Sequence, residues 1–104
     1  MTFKDWVRDS YDYDTLCDIA QHGANHGYIH ITYTAELIDL YDRFKHELWD
    51  ILHQHAYDCG YTPLEIMAKW NHEITTHIHL ATFMVWFGVE FYARELKEGF
   101  NHAI

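Results

Sequence analysis

Apolar side chains recur every three or four positions across residues 35–59, which is the spacing of one face of an α-helix. At 100° per residue they fall in one arc of about 120°. The members of this apolar face are Leu37, Leu40, Tyr41, Phe44, Leu48, Ile51, Leu52 and Cys59. Thr34 is placed to cap the helix and Gly60 to end it. The pattern predicts a long amphipathic helix over residues 35–59, about 37 Å in length.

A second long helix is predicted over residues 76–98, capped by Thr75 or Thr76 and closed by Gly99. From position 80 to position 93 it is apolar on almost every side. Such a helix must be enclosed, either by other helices of its own domain or by a second subunit. Full enclosure is difficult in a small domain, so the pattern favours a homodimer through residues 76–98.

Shorter helices are predicted at both sides of the long one. In the acidic, aromatic segment 1–22, Thr2 can cap a helix over residues 3–8, and Asp14 can cap another over residues 15–21. The run Thr62-Pro63-Leu64-Glu65 has the form of a capping box and predicts a short helix over residues 63–71. Residues 23–34 read as a loop, with a possible short extended segment near 28–33. The predicted fold class is all-α, a compact bundle of about four to five helices in a single domain, 1–104.

Composition narrows the range of functions. A content of 49% hydrophobic residues excludes a disordered chain, and 16 acidic residues against 7 basic ones give a formal charge of −9. This sign opposes direct binding to a phosphate backbone. No signal peptide is recognisable, and the apolar stretch 78–93 carries Glu90 and is short for a bilayer span. Cys17 and Cys59 lack metal-site spacing and look buried. We therefore expect a cytoplasmic protein with no membrane contact.

Ten histidines make a metal site the first enzyme-like hypothesis to test. His72 and His77 flank a stretch that resembles a zinc-protease motif, but their five-residue spacing turns the imidazoles about 140° apart. His53 and His55 are two residues apart, which separates them by about 200° on a helix. No nucleophile motif or phosphate-binding loop is present. We expect no enzyme activity and no cofactor, and a metal-binding helical domain remains an alternative.

Five carboxylates of the long helix fall within about 100° of one another, beside the apolar face. They form a row about 33 Å long that we call the acidic stripe: Glu36, Asp39, Glu47, Asp50 and Asp58. Arg43 and Lys45 are interpreted as lying off it. Such a row resembles the charge array of duplex DNA and can occupy a basic nucleic-acid channel. A solvated polar face is the other reading of the same pattern.

Across residues 22–98 the chain resembles a family of small uncharacterised proteins encoded by bacteriophages, prophages and plasmids. The resemblance covers about three quarters of the chain and is carried by His22-Gly23-Ala24, Gly27-Tyr28, Thr32-Tyr33-Thr34, Leu40-Tyr41-Asp42, Glu47-Leu48-Trp49, Gly60-Tyr61, Val85-Trp86-Phe87 and Ala93-Arg94-Glu95-Leu96. These motifs are structural in character. The resemblance implies a mobile-element accessory protein in the cytoplasm of an infected bacterial host, of the kind that disables CRISPR or restriction complexes.

The function predicted from the sequence is inhibition of a host nucleic-acid-binding defence protein through an acidic, DNA-mimicking surface. The acidic stripe is the predicted contact, and Tyr11, Tyr13 and Tyr28 are predicted to anchor the interface, since aromatic residues are enriched at contact surfaces. The alternatives are a metal-binding domain and a structural phage component that acts as a dimer.

Overall fold

The computed structural model describes residues 1–23, 34–69 and 76–102. In these ranges the chain is all-α: five helices and no strand. The helices are α1 (Phe3–Ser10), α2 (Tyr13–His22), α3 (Thr34–Cys59), α4 (Pro63–Lys69) and α5 (His77–His102). The predicted fold class is confirmed, with α3 as the long amphipathic helix. The extended segment predicted near 28–33 and the last two residues of the predicted helix 63–71 lie outside the described residues.

The chain divides into two compact units, and α5 runs through both. The first unit contains α1, α2 and α5 from Trp86 onward, and its buried side chains include Phe3, Val7, Leu16, Ile19 and Val89. The second unit contains α3, α4 and α5 up to Val85, and its buried side chains include Leu48, Leu52, Met67, Phe83 and Met84. That residues 1–104 form a single domain stays a prediction.

Side-chain oxygens cap the first two helices. At α1 the Thr2 hydroxyl accepts the Asp5 backbone N–H at 3.1 Å, and the Thr2 N–H donates to the Asp5 carboxylate at 3.0 Å, so the predicted cap is confirmed as a reciprocal capping box. The predicted cap of α2 is wrong. Asp12, not Asp14, accepts the Thr15 N–H at 2.8 Å, and the helix begins two residues earlier than predicted. Both aspartates suit a cap by residue type, so local sequence does not choose between them.

The apolar face of α3 packs inward largely as predicted. Six of its eight side chains are buried: Leu37, Leu40, Tyr41, Phe44, Leu48 and Leu52. Ile51 is half-buried, and Ala56, which is not a member of the predicted face, is buried as well. The interpretation of Cys59 as buried is wrong: it is exposed, because the last turn of the helix extends beyond the residues that pack. Thr34 is the first helical residue and not the cap that the sequence suggests.

The C-terminus of α3 has the hydrogen bonds of a Schellman motif. The Tyr61 N–H donates to the Ala56 carbonyl at 2.8 Å, and the Gly60 N–H donates to the Tyr57 carbonyl at 3.1 Å. Gly60 has a φ of 78°, a left-handed conformation that glycine adopts without a steric penalty. The capping box predicted for α4 is confirmed two residues later, where Thr62 and Glu65 exchange bonds of 3.1 and 3.2 Å.

The last helix is longer than predicted. Thr76 caps α5 by accepting the His79 N–H at 3.3 Å, but the helix passes through Gly99 and ends at His102, so the predicted end is wrong. A glycine in a helix costs only about 1 kcal/mol, so it does not by itself end one. Most side chains from position 81 to position 93 are buried within this one chain. The homodimer stays a prediction, but the apolar surface that motivated it is already covered.

Candidate functional site

The acidic stripe lies on a solvent-facing side of α3, beside the apolar face. Glu36, Asp39, Asp50 and Asp58 are exposed, and Glu47 is half-buried. Because α3 is continuous from Thr34 to Cys59, the five carboxylates form a row about 33 Å long on one rigid element. The sequence interpretation of these residues as one surface therefore agrees with their positions on the helix.

One detail of that interpretation is wrong, because Arg43 lies within the arc and not off it. Its guanidinium pairs with the Asp39 carboxylate at 3.4 Å, and both side chains are more than half exposed. Residues four apart on a helix differ by only about 40°, which places Arg43 directly beside Asp39. An exposed pair of this kind contributes little stability. It does locally cancel one of the five negative charges.

Asp58 has a neutral partner. The Gln54 side-chain amide donates to the Asp58 carboxylate at 2.8 Å, which orients the carboxylate without cancelling its charge. Lys45 lies about 180° from Glu36 around the helix and does not reach the stripe. Among the residues of α3 itself, the five carboxylates of this arc outnumber its one guanidinium, that of Arg43, so this side of the helix carries a net negative charge.

A shallow open groove of about 610 Å³ adjoins the stripe, lined by Trp49, Asp50, His53, Gln54 and Tyr57. Three of these are rings spaced four residues apart on one row of the helix. Trp49 is half-buried and Tyr57 is 82% exposed, so the row rises from the protein surface into solvent. Asp50 belongs to both the groove and the stripe.

Contacts with Tyr41 and His53 fix the position of the Trp49 indole. Its N–H donates to the hydroxyl of the buried Tyr41 at 2.9 Å. The His53 ring meets it edge to face, with ring centroids 6.0 Å apart. These contacts fix the orientation of an aromatic surface beside an anionic one. This groove was not predicted from the sequence, although Trp49, His53 and Tyr57 have the i, i+4, i+8 spacing of residues on one side of a helix.

Two of the tyrosines predicted to anchor the interface belong to a different unit from the stripe and the groove. Tyr11 and Tyr13 belong to the first unit, whereas the stripe and the groove belong to the second. Tyr11 is half-buried, with its ring edge-on to Trp6 at 6.1 Å. Tyr13 is 42% exposed, and a hydrogen bond with the Cys17 thiol raises the pKa of its phenol. Tyr28 lies outside the described residues.

Two of the described histidines lie near one other titratable side chain each. The His55 imidazole lies 3.7 Å from the Cys59 sulfur, and the His77 imidazole lies 3.9 Å from the Asp42 carboxylate. Across residues 1–23, 34–69 and 76–102, no group of three or more His, Cys, Asp or Glu side chains could hold a metal ion. In the same ranges, no helix has the length and hydropathy needed to span a bilayer.

One family model matches almost the whole chain. A family model described as "Domain of unknown function (DUF7222)" matches residues 2–102, which is nearly the entire sequence. The chain belongs to the DUF7222 family. No curated protein and no solved structure matches it. The DUF7222 description carries no origin and no activity, so the phage-type origin and the anti-defence role remain predictions.

Proposed function

We propose that this DUF7222 chain binds a basic, nucleic-acid-binding surface of another protein through the acidic stripe and thereby inhibits it. The partner we propose is a host defence protein, such as a CRISPR or restriction complex; that part rests on the resemblance to phage, prophage and plasmid proteins. The observation that supports binding is the placement of Glu36, Asp39, Glu47, Asp50 and Asp58 on one solvent-facing side of a single rigid helix.

The charge of the whole molecule acts in the same direction as the stripe. A formal charge of −9 repels nucleic acid and attracts basic protein surfaces. Electrostatic complementarity of this kind raises association rates and selects partners more than it raises affinity. The proposed role is thus occupation of a surface that would otherwise bind a phosphate backbone.

The charge density of the stripe limits how well its charges alone can compete with nucleic acid. Its five carboxylates are spread over about 33 Å, or one per roughly 7 Å, whereas duplex DNA carries one negative charge per roughly 1.7 Å of its axis. The stripe therefore presents about a quarter of the linear charge density of a duplex. Competition with nucleic acid requires further contacts that are not purely ionic.

Charge reversal on the stripe is the direct test. The stripe variant carries Glu47→Lys and Asp50→Lys. The matched control carries Asp18→Lys and Glu98→Lys, which change the net charge equally at exposed positions of the first unit. The wild-type chain, the stripe variant and the control are immobilised and exposed to nuclease-treated bacterial lysate. Captured proteins are eluted with duplex DNA and identified by mass spectrometry.

We expect the wild-type chain and the control to retain nucleic-acid-binding proteins that duplex DNA displaces, and the stripe variant to lose them. Each captured protein should bind DNA less well when the chain is added. Arg43→Gln, which leaves Asp39 without its cation, should strengthen capture. Equal capture by the folded stripe variant, or capture that DNA does not reverse, contradicts the proposal.

A further inference from the structure

The aromatic groove beside the stripe is a binding surface that the acidic stripe does not explain. It combines the Trp49 and Tyr57 rings with the Asp50 carboxylate, all on one side of α3. The Tyr57 side chain is 82% exposed, so it buries little surface against the rest of the chain. Tyrosine and tryptophan are the residues most enriched where proteins bind one another.

We propose that this groove takes an arginine side chain of the basic partner. The inference rests on the proposed function and names the contact that supplements its charges. A guanidinium stacks on aromatic faces and at the same time donates paired hydrogen bonds to a carboxylate. The groove offers both types of acceptor, because its rings adjoin Asp50, and Asp58 follows Tyr57 directly along α3.

The Trp49 ring is already positioned to contact an arginine side chain. The only polar atom of the Trp49 side chain donates to the Tyr41 hydroxyl, so the part of the indole that lines the groove presents carbon and its π-electrons. A ring held in place before binding loses little conformational freedom when a ligand arrives. The same domain already contains an aromatic–cation contact, with the Lys69 ammonium 4.3 Å from the centroid of the Tyr61 ring.

Charge separates arginine from the other groups that stack on rings. A nucleobase would bring its phosphates against the carboxylates of the stripe, which repel them. An apolar helix would cover Asp50 without giving its carboxylate a partner, and an unpaired buried charge is costly. An arginine satisfies the rings and the carboxylate together.

Two peptides of equal length and charge test the proposal with the intact chain. One peptide repeats Arg-Gly-Ser four times and the other repeats Lys-Gly-Ser four times. Affinities are measured by calorimetry at low salt and pH 8, for the wild-type chain and for Tyr57→Ala, Tyr57→Phe and the stripe variant Glu47→Lys/Asp50→Lys. Tyr61→Ala is the matched control, because Tyr61 is an exposed ring outside the groove.

We expect the arginine peptide to bind more tightly than the lysine peptide, and Tyr57→Ala to weaken the arginine peptide about two- to fivefold, the loss typical of one exposed cation–π contact. Tyr57→Phe, which keeps the ring, and Tyr61→Ala should bind like the wild type. In a heteronuclear spectrum, the Trp49 indole N–H signal, assigned with Trp49→Phe, should shift on binding of the arginine peptide.

The remaining outcomes separate the two proposals. If the stripe variant loses both peptides while Tyr57→Ala loses neither, the stripe binds basic partners and the arginine groove is wrong. If neither substitution changes the affinity, both proposals fail. No binding of the arginine peptide, or tighter binding of oligothymidylate that depends on Tyr57, also overturns the groove, the latter in favour of a nucleobase site.

Discussion

Carboxylates in this chain have two different roles, and their hydrogen bonds distinguish them. Asp5 and Asp12 accept backbone N–H groups at the starts of α1 and α2, so their charge is directed at their own helices. Asp50 and Asp58 lie on the exposed side of α3, where their charge faces solvent. Capping carboxylates are therefore poor candidates for contact with a partner, and the five of the stripe are distinguished from other exposed carboxylates by sharing one side of α3.

The capping aspartates should titrate at low pH. The backbone N–H of Thr2 is the largest influence that lowers the pKa of Asp5 below 3.8, and the Thr15 side chain is the largest that lowers that of Asp12. Because each pKa is lower in the folded chain than in the unfolded chain, the stability it contributes is present above the unfolded value. That contribution is lost as pH falls through the folded value.

We therefore expect both carboxyl carbons to titrate with midpoints below 3.8 in a heteronuclear pH series. Asp12→Asn keeps an acceptor for the Thr15 N–H but does not titrate. As pH falls below 4, its denaturation midpoint should decline less than that of the wild type. A midpoint for Asp12 at or above 3.8 would contradict this account.

At the scale of the helices, several patterns that depend on neighbouring residues were predictable, although the caps assigned to Asp14 and Thr34 were wrong. The capping box at Thr62, the terminator Gly60 and the apolar face of α3 follow from residues within one or two turns, and the structure shows all three. Predictions that depend on packing failed. Cys59 and Gly99 have the residue types of a core position and a helix end, but which residues pack, and how far a helix continues, depends on distant parts of the chain.

Two leucines make the same distinction measurable. Leu48 of α3 is fully buried, whereas Leu64 of α4 is 76% exposed although its spacing suggests a shared face with Met67. Leu48→Ala should lower the free energy of unfolding by about 2–5 kcal/mol, because it leaves a cavity. Leu64→Ala should change it by less than about 0.5 kcal/mol. Urea denaturation at pH 7 compares them, and equal losses would mean that the burial of α3 and α4 is wrong.

For the whole molecule, the candidate site was only partly predictable. The acidic stripe could be predicted because the apolar and acidic residues of α3 recur at helical spacing. That spacing alone places the five carboxylates on one side of the helix. The aromatic groove was missed because large rings are usually core residues, and several here are: Phe3, Phe44, Phe83 and Phe87. Only the structure distinguishes these rings from Tyr57, which lies outside.

Net charge gives a prediction at the same scale. The formal charge is −9 at pH 7 and becomes less negative as pH falls towards the isoelectric point of the sequence, about 5.4. Binding of the arginine peptide should weaken as pH falls from 8 to 6, and solubility should be lowest near pH 5.4.

Calorimetry across that pH range and light scattering measure the two effects. Repeating the titration in 0.5 M salt is the control, because screening should flatten the dependence on pH. Constant affinity between pH 8 and pH 6 at low salt would show that the overall charge does not steer binding.

The continuity of α5 restricts how this protein can be divided. Phe83 and Met84 belong to one unit and Val89 and Ala93 to the other, yet all four are side chains of a single helix. The first unit is also assembled from both ends of the chain, with the second unit inserted between them. No single cut therefore releases an intact half. Truncation is a poor route to a minimal binding fragment, and the stripe is better studied by substitution in the complete polypeptide.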